Sequence, residues 1–361
     1  MSIIIGIIAS IFILILPGCV ILIALKKSIN NAVNITQDVN ISVIISARNE
    51  KEKIEKLVNT LNNLNYPQDK YEVIIVDDNS RDGTLEELKL QIDKFNNFRV
   101  LDLKPAGLRG KREALSLGIQ HSQHPYLVIT DADCRPQSNW LVACSRKFAL
   151  GYDMLFGIAP FYQNKTLTNR IACFENLRSS LLSFSLAIVG FPYTAAARNF
   201  GFTRNAFDLL SGYSKTKDTL SGDDDLLLRE AVKRKLKIGV VTDSDSYVYS
   251  ETKKTFREYF HQRARHTQTS FHYLKKHQVI LVFWHLLNLL LLFSPLLMFI
   301  DPLLGFLLPA KLLTDFTIIK STQNKFGYRF SVIEIIYLQI FYELLLIIHF
   351  FNARFSEIKW K

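Results

Sequence analysis

Cysteine is scarce in this chain, and its few positions fit neither a disulfide framework nor a zinc site. The cysteines are Cys19, Cys134, Cys144 and Cys173 among 361 residues, and none forms a C-x-x-C pair. No cluster of cysteine and histidine has the spacing of zinc ligands. Reduced, packed cysteines are typical of cytosolic domains, so we expect the soluble part of the chain to be cytosolic.

A glycine-rich dinucleotide fingerprint is also missing. Residues 41–47 form an apolar, β-branched strand, which ends in Ala47-Arg48-Asn49-Glu50 and not in G-x-G-x-x-G. This absence argues against a nicotinamide enzyme. It also argues against a nucleotidyltransferase, for which a glycine-rich basic loop is expected directly after the first strand.

Acidic residues are outnumbered by basic ones, 33 to 44, and the formal net charge is +11. Such a balance suggests nucleic acid, anionic lipid or phosphorylated ligands. Because the basic residues concentrate beside apolar spans and no recognition motif is present, we expect no nucleic-acid partner. A mean hydropathy of +0.11 is high for a purely soluble protein and directs attention to membrane spans.

Residues 3–25 carry no charge, and about 20 apolar residues are enough to cross the hydrocarbon core of a bilayer. Lys26 and Lys27 follow this run directly. Positive charge after the run, and not before it, favours a membrane anchor over a signal peptide and places the next segment in the cytosol. The sequence therefore predicts an N-terminal transmembrane anchor over residues 1–27.

The C-terminal part is apolar again, and residues 278–352 are predicted to form further transmembrane segments. Residues 279–313 predict two linked spans, and residues 331–351 predict another, which two glutamates weaken. The charge rule does not place the C-terminus, because basic residues lie both before the last span and in the basic tail, residues 353–361. Those before it, which favour a cytosolic loop, are Lys311, Lys320, Lys325 and Arg329.

Residues 252–277 form a basic segment in front of these spans. We expect this segment to lie along the membrane surface as a partly amphipathic helix, with its lysines facing anionic lipid. Five aromatic side chains are expected to insert among the headgroups: Phe256, Tyr259, Phe260, Phe271 and Tyr273.

Residues 41–251 begin with short apolar strands that alternate with helical patterns. The predicted strands are 41–47, 71–78, 98–103 and 125–133, and the predicted helices are 51–64, 84–96 and 111–120. This alternation indicates parallel β-α units in a doubly wound α/β sheet. In such sheets, ligands bind beyond the carboxyl ends of the strands.

Two of these strands end in paired carboxylates. Asp131 and Asp133 have D-x-D spacing, which suits a divalent cation such as Mg²⁺ or Mn²⁺ because these cations prefer oxygen ligands. Such a cation would neutralise a leaving diphosphate. Asp77 and Asp78 end another strand. In both places a polar turn is the alternative, since Asp commonly forms turns and caps helices.

Two further polar groups have a structural and a functional interpretation. Asp223, Asp224 and Asp225 precede an apolar helical stretch, where acids favour the helix dipole or supply a general base for a hydroxyl nucleophile. Gln262 and Arg265 lie in the basic segment, where they serve membrane adhesion or bind a phosphate.

Taken in order, six motifs resemble family 2 of the nucleotide-sugar glycosyltransferases, which have the GT-A fold. The motifs are ISVIISARNE, VIIVDDNSRDGT, GLRGKREALSLGI, VITDADC, SGDDDLLLR and QRARH, and together they span about 41–270. The arrangement is most similar to membrane synthases of β-linked polysaccharides or glycolipids. The resemblance implies a GT-A doubly wound mixed sheet with helices on both faces, flanked by transmembrane helices.

The resemblance implies that the donor nucleoside is bound at two strand ends. Ala47, Glu50 and Asp78 would line the pocket, with Asp77 nearby, and Lys111 would approach the nucleotide. The implied donor is a nucleotide diphosphate-sugar, and we expect a UDP-sugar.

It also implies roles in the transfer step. Asp131 would lie near the donor sugar and diphosphate, and Asp133 would hold the metal. Asp223 matches the base that deprotonates the acceptor hydroxyl for an inverting, in-line attack. Gln262 and Arg265 match the Q-x-x-R-W motif that braces the diphosphate and the acceptor.

Two positions depart from the family pattern. Gly222 stands where a glutamate usually precedes the base, so Asp225 is a second candidate for that role. His266 replaces the tryptophan that stacks at the acceptor, which puts processive polymerisation in doubt.

The sequence therefore predicts a metal-dependent inverting glycosyltransferase that acts on a hydroxyl of a membrane-associated glycan or lipid. We expect it to be a multi-pass protein of the cytoplasmic membrane with its catalytic domain in the cytosol. An inactive relative that serves as a membrane scaffold is the non-enzymatic alternative. The intact acids Asp131, Asp133 and Asp223 argue against it.

Overall fold

A computed structural model describes residues 39–219 and 221–355. The predicted anchor at residues 1–27 lies outside the described residues, as does most of the predicted tail. The described chain divides into two compact units. The sheet unit comprises residues 39–162 and 194–251, and the helical unit comprises residues 163–193 and 252–355.

The described residues contain nine strands, all in the sheet unit. They are β1 (Ile41–Ala47), β2 (Tyr71–Asp77), β3 (Phe98–Asp102), β4 (Tyr126–Asp131), β5 (Arg135–Pro136), β6 (Met154–Gly157), β7 (Phe200–Thr203), β8 (Ile238–Val241) and β9 (Val248–Tyr249). Seven form a mixed sheet in the order β3-β2-β1-β4-β7-β6-β8, in which β7 runs antiparallel to both of its neighbours. The predicted strands correspond to β1 to β4, and β5 pairs with β9 in a small second sheet.

The described residues also contain eleven α-helices. They are α1 (Lys51–Asn62), α2 (Thr84–Ile92), α3 (Lys111–His121), α4 (Trp140–Ala149), α5 (Leu167–Ile188), α6 (Arg204–Leu209), α7 (Asp223–Lys233), α8 (Phe256–Ser270), α9 (Lys275–Leu292), α10 (Leu307–Thr322) and α11 (Val332–Phe355). The helical unit contains α5 and α8 to α11. The sequence-based boundaries place α5 in the catalytic domain, whereas the structure groups it with the C-terminal helices.

The internal strand β1 is buried on both faces, as its mostly apolar sequence predicts. Val43 and Ile45 belong to the core cluster that includes Ile54 and Leu57 of α1. On the opposite face, Gly118 of α3 lies so close to the sheet that an added Cβ would be 2.7 Å from Ile44 Cγ2. Helices therefore cover both faces of the sheet, in agreement with the predicted fold class.

A buried carboxylate joins the amino ends of several strands. Glu72 of β2 accepts hydrogen bonds from Ser42 Oγ of β1 at 2.6 Å and from the Gln123 backbone N–H at 2.6 Å. It also pairs with Arg99 of β3. These contacts fix the amino end of the sheet, opposite the edge where the predicted site residues lie.

In the helical unit, two described helices are long and apolar enough to cross a membrane, Pro302–Phe326 and Val332–Phe355. This finding, from length and composition, suggests membrane association. The second helix corresponds to the span predicted at 331–351. The region predicted as two linked spans instead contains α9, a series of short 3₁₀ turns and the start of α10.

The charge pattern predicts Lys311 in a cytosolic loop. In the structure Lys311 instead lies in α10, and its side chain is buried. Its Nζ lies 2.7 Å from Asp315 and 3.1 Å from Glu343 of α11. Arg178 of α5 lies 3.1 Å from Asp315 and 3.5 Å from Glu343. The two cations and two carboxylates compensate one another, which is how charges persist in an apolar interior.

The basic segment 252–277 is not one helix, because α8 ends at Ser270 and α9 begins at Lys275. The sequence predicts that Tyr259 inserts among lipid headgroups, but in the structure its side chain is buried. Its hydroxyl donates to Glu175 of α5, and Glu175 also pairs with Arg263 at 2.7 Å and His349 at 3.3 Å. A polar cluster therefore holds α8 against α5 and α11.

We predict that Glu72→Gln lowers the free energy of unfolding at pH 7 by about 1–3 kcal/mol, because buried donors lose a charged acceptor. Burial raises the pKa of Glu72, but hydrogen bonds from Gln123, Ser42 and Arg99 outweigh it and leave this pKa below its ordinary value. A lowered pKa stabilises the fold above the unfolded-state pKa of about 4.3, and this stabilisation is lost as the pH falls through the folded-state value.

The difference between the variant and the wild type should therefore shrink in acid. Urea unfolding at pH 7 and at about pH 3.5 measures it on both sides of the ordinary pKa of Glu. Glu55→Gln, at an exposed position in the middle of α1, is the matched control and should change neither midpoint. An equal loss of stability at both pH values would contradict the linkage.

Candidate active site

The parallel register of the sheet brings the predicted acids to one edge. Ala47 of β1 lies opposite Asp77 of β2, and Ser46 of β1 lies opposite Asp131 of β4. The carboxyl ends of three adjacent strands therefore align. This edge is where ligands bind in open α/β sheets.

The turns after β1 and β2 are interlocked by hydrogen bonds. Asn49 and Asn79 both have positive φ, 54° and 55°, a conformation that Asn tolerates better than most residues. The Asn49 N–H donates to Ser80 Oγ at 3.0 Å, and the Glu50 N–H donates to Thr84 Oγ1 at 2.9 Å. The two turns therefore form one rigid rim, on which Glu50 also pairs with Lys53 at 2.6 Å.

Asp77 and Asp78 are both buried at the end of β2. Asp78 Oδ1 accepts a hydrogen bond from the Gly110 N–H at 2.7 Å, and its Oδ2 lies 3.7 Å from Arg48. Gly110 has φ 102° and ψ 157°, a combination that is essentially restricted to glycine. Asp78 thus holds the strained turn that starts α3 and carries Lys111.

Asp77 keeps one oxygen uncommitted. Its Oδ2 accepts from the Ser80 N–H at 3.1 Å, while its Oδ1 is buried with no hydrogen-bond partner among the described residues. Burial, assisted by the nearby carboxylates of Asp102 and Asp78, raises the pKa of Asp77.

Lys111 joins two of the predicted acids. Its Nζ lies 2.8 Å from Asp131 Oδ1 and 3.3 Å from Asp223 Oδ2. Burial lowers the pKa of Lys111, but the charges of Asp131 and Asp223 outweigh burial and raise it well above its ordinary value. Lys111 is therefore a fixed cation between the D-x-D segment and the start of α7.

The start of α7 is formed by Gly222, whose φ of 88° lies in the left-handed region. This conformation favours glycine and accounts for the departure from glutamate at that position. Arg112, the neighbour of Lys111, donates to the carbonyls of Thr219 and Ser221 at 2.8 Å each. Sequence reasoning missed Arg112, although it belongs to the GKREAL motif. It fixes the segment that precedes Asp223.

The other two acids of α7 accept hydrogen bonds from residues 194–197, from two backbone N–H groups and one side-chain hydroxyl. Asp225 Oδ1 accepts from Thr194 Oγ1 at 2.6 Å and from the Ala195 N–H at 2.9 Å. Asp224 Oδ2 accepts from the Ala197 N–H at 2.6 Å. Burial, together with the charges of Asp225 and Asp223, raises the pKa of Asp224 well above its ordinary value. These contacts connect Asp224 and Asp225 to residues 194–197, whereas the Asp223 carboxylate lies beside Lys111.

Asp131, Asp133 and Cys134 bring one ligand atom each to within 4.8 Å of one another. Burial raises the pKa of the Cys134 thiol well above its ordinary value, so the thiol stays protonated and is a poor ligand for a hard cation. The two carboxylates fit Mg²⁺ or Mn²⁺, which typically take one or two protein carboxylates together with substrate phosphates.

Gln262 and Arg265 lie on α8 of the helical unit, and both are partly buried. The hydroxyl of Thr255 caps this helix by accepting from the Glu258 N–H. Arg263, between the two motif residues, is directed to the buried Glu175. The motif thus contributes one structural arginine to the helical unit, a role that the sequence did not reveal.

Comparison with known proteins gives two family matches. Residues 42–205 match the model of glycosyl transferase family 2. Residues 126–351 match the model of glycosyl transferase family group 2. The second match alone extends over more than half of the chain.

Two curated relatives show the sequence similarity. Glycosyltransferase AglE of Haloferax volcanii is 34% identical over 141 residues, which is 38% of this chain and 46% of that protein. Beta-monoglucosyldiacylglycerol synthase of Trichormus variabilis is 31% identical over 125 residues, or 35% of this chain and 24% of that protein. The chain thus matches less than half of the length of either relative.

Among solved structures, the fold is similar to the mannosyltransferase PcManGT from Pyrobaculum calidifontis, determined in complex with GDP-Man and Mn²⁺. The TM-score is 0.60 at 18% identity, and the alignment covers 97% of this chain and 98% of that one. At this identity the likeness shows the GT-A fold alone.

We predict that Asp133→Ala weakens Mn²⁺ binding at least about tenfold, because it removes a carboxylate that is available to a cation. Electron paramagnetic resonance of free Mn²⁺, titrated against the full chain, measures the affinity. Cys134→Ala is the control, and its affinity should stay within about twofold because a protonated thiol contributes little to binding a hard cation. Equal affinities of Asp133→Ala and the wild type would contradict the assignment.

Proposed function

This chain belongs to glycosyl transferase family group 2, and from that membership we propose that it transfers a sugar from a nucleotide diphosphate-sugar to an acceptor hydroxyl with inversion. The single observation that carries the proposal is Lys111 between Asp131 and Asp223. A phosphate-binding cation, a candidate metal ligand and a candidate base are thereby adjacent at the ligand-binding edge of the sheet.

The donor nucleoside is proposed to bind at the rim formed by the turns after β1 and β2. Ala47 and Glu50 border this rim. Asp78, directly after β2, connects the rim to the start of α3 by accepting a hydrogen bond from the Gly110 N–H. The Asp77 Oδ1 atom is buried and has no partner among the described residues, and it is proposed to become the acceptor for an N–H of the base when the donor binds. Uracil and guanine both carry such a donor. We retain a UDP-sugar as the proposed donor, and the similar mannosyltransferase was solved with GDP-Man.

The diphosphate is proposed to lie between Lys111 and the D-x-D carboxylates. A divalent cation held by Asp133 and Asp131 would offset the charge that develops on the leaving diphosphate. Lys111 contributes a second positive charge at that place. The presence of Mn²⁺ in the similar mannosyltransferase structure supports the choice of cation.

Asp223 is proposed to be the general base. Its carboxylate faces Lys111, whereas Asp225 and Asp224 accept hydrogen bonds from residues 194–197. Asp223 removes the proton of the acceptor hydroxyl, the acceptor oxygen forms a bond to the anomeric carbon, and the bond to the diphosphate breaks on the opposite face. This single displacement requires no covalent intermediate with the enzyme.

Gln262 and Arg265 are proposed to brace the diphosphate and the acceptor, as the Q-x-x-R motif implies. His266, which is exposed, stands where the family has tryptophan. The proposed reaction is therefore the addition of one sugar. Arg265 keeps its charge at every physiological pH and suits a bidentate contact with phosphate.

The proposed acceptor is a membrane-associated lipid or glycan, and the proposed location is the cytoplasmic membrane with the catalytic domain in the cytosol. Two apolar helices in the helical unit support membrane association. One relative is named for synthesis of a glucosyl diacylglycerol. The predicted anchor at residues 1–27 would add a further span.

Donor turnover tests the proposal directly. Purified full-length protein in lipid nanodiscs is incubated with UDP- and GDP-sugars and Mn²⁺, and release of nucleoside diphosphate is measured. We expect turnover of at least one donor and its loss in excess chelator and in Asp133→Ala. Absence of turnover with every donor, also after membrane extract is added as a source of acceptor, would support the scaffold alternative.

The base assignment predicts different effects of two neighbouring acids. Asp223→Asn should lower kcat by about 10²–10⁴-fold, the usual contribution of a general base, and leave donor binding nearly intact. Asp225→Asn should lower kcat less, because its carboxylate supports the backbone at Thr194 and Ala195. Kinetics and donor affinity of the two variants decide the matter. If Asp225→Asn is inactive while Asp223→Asn keeps near-normal kcat, the base is Asp225.

A further inference from the structure

A three-stranded extension stands beside the D-x-D segment in the sheet unit. Its central strand is β9, which pairs with β5 through Arg135 opposite Tyr249. On its other side, the segment 158–162 runs parallel to it. The Val248 N–H donates to the Ile158 carbonyl at 3.2 Å, and the Tyr162 N–H donates to the Ser250 carbonyl at 3.0 Å. β5 begins two residues after Asp133, so the extension is continuous with the candidate metal site.

The pairing register sorts the side chains of this extension onto two faces. Phe161 is the bridge partner of Ser250, so these two share one face, and their neighbours Tyr162 and Tyr249 share the other. The rings of Tyr162 and Tyr249 are stacked, with centroids 4.9 Å apart and planes inclined by 18°. Arg135 lies on the same face as Tyr249, because the two are register partners.

The face with Phe161 is closed by an arginine. The Arg198 guanidinium carbon lies 4.3 Å from the centre of the Phe161 ring. Arg198 also donates hydrogen bonds to Ser250 Oγ and, at 2.9 Å, to the Ala159 carbonyl. The opposite face is accessible, since 38% of the Tyr162 surface is exposed. The tyrosine face is therefore the one that can receive a ligand.

Hydrogen bonds of Arg135, which lies on the tyrosine face, place that face beside the candidate metal site. Arg135 Nη1 donates to the carbonyl of Cys134, the residue after Asp133, at 2.6 Å, and Arg135 Nη2 donates to the Lys53 carbonyl at 3.2 Å. Lys53 in turn pairs with Glu50 at 2.6 Å. The stacked tyrosines thus lie near both the D-x-D segment and the rim that carries Glu50.

We propose that Tyr162, backed by the stacked ring of Tyr249, forms a platform on which a pyranose ring of the acceptor stacks. This inference rests on the proposed function and names the acceptor as a saccharide. The C–H face of a pyranose is apolar while its edge carries hydroxyls, which matches an exposed ring with a phenol at its edge. In this chain His266, and not tryptophan, follows the Q-x-x-R residues. The platform supplies an aromatic surface from another part of the chain.

Binding of two disaccharide probes, cellobiose and N,N′-diacetylchitobiose, tests the platform. The full chain is held in a zwitterionic detergent without a sugar headgroup, with UDP and Mn²⁺ present, and saturation-transfer NMR gives the Kd. We expect Tyr162→Ala and Tyr249→Ala each to raise the Kd of the better probe by about 2- to 10-fold, the range for one aromatic contact. Tyr162→Phe and Tyr249→Phe should retain the wild-type Kd within about twofold, because the ring remains.

Tyr152→Ala is the matched control, since Tyr152 packs against Gly239 and lies near Lys147 and Lys237 in the same unit. It should leave the Kd unchanged. Thermal unfolding of each variant identifies loss of fold, and the Phe variants keep the test valid if an Ala variant fails to fold. An unchanged Kd in both Ala variants, or no binding of either probe by the wild type, would overturn the platform.

Hydrolysis of the donor in the absence of acceptor tests whether the sugar ring on the tyrosines belongs to the acceptor or to the donor. The KM for the donor should be the same in the Ala variants and the wild type. A raised donor KM with unchanged probe binding would place the donor sugar on the rings and overturn the acceptor assignment. If the wild type releases no nucleotide from any donor while probe binding still depends on both tyrosines, the proposed function fails and the platform stands.

Discussion

The repulsion among carboxylates at one edge of the sheet is the constraint on which the site depends. Strand ends and a helix start bring Asp131, Asp133 and Asp223 into one region, and Lys111 compensates two of them directly. Asp78 positions Lys111 by fixing the strained turn at Gly110. The same lysine that makes the acids compatible with one another is also the cation that is proposed to contact the diphosphate. Structural and proposed chemical roles thus coincide in one lysine.

The first half of the sheet could be predicted from the sequence because β1 to β4 are apolar runs between clear helical patterns. The strands β6, β7 and β8 are not predicted from the sequence, because each has only four residues and each contains a glycine (MLFG, FGFT and IGVV), which is too short a run to show alternation. They are stabilised by pairing within the sheet, which is a tertiary effect. The acidic motifs can be recognised in the sequence. Which of Asp223, Asp224 and Asp225 binds residues 194–197 cannot, because the sequence does not reveal where those residues lie.

In the helical unit, sequence patterns are misleading at two buried polar positions. The charge rule treats Lys311 as an exposed residue. Lys311 is instead paired with Asp315, four residues later on α10, and with Glu343 on α11. Tyr259 was assigned to the membrane surface from its aromatic character, but its hydroxyl has a buried acceptor in Glu175. Compensation by distant residues is invisible to composition and periodicity, because those patterns describe one helix at a time.

The buried charges of this unit also constrain the order in which its helices assemble. The chain is made from its N-terminus, so Glu343 is made after Lys311 and Arg178, from which it is separated by 32 and 165 residues. Until α11 packs against α5 and α10, the Glu343 carboxylate lacks these two cations, and an uncompensated charge opposes transfer into an apolar phase. Folding of α11 is therefore coupled to its packing against helices that have already emerged from the ribosome, and a truncation that removes α11 leaves two buried cations, Lys311 and Arg178, with Asp315 as their shared carboxylate.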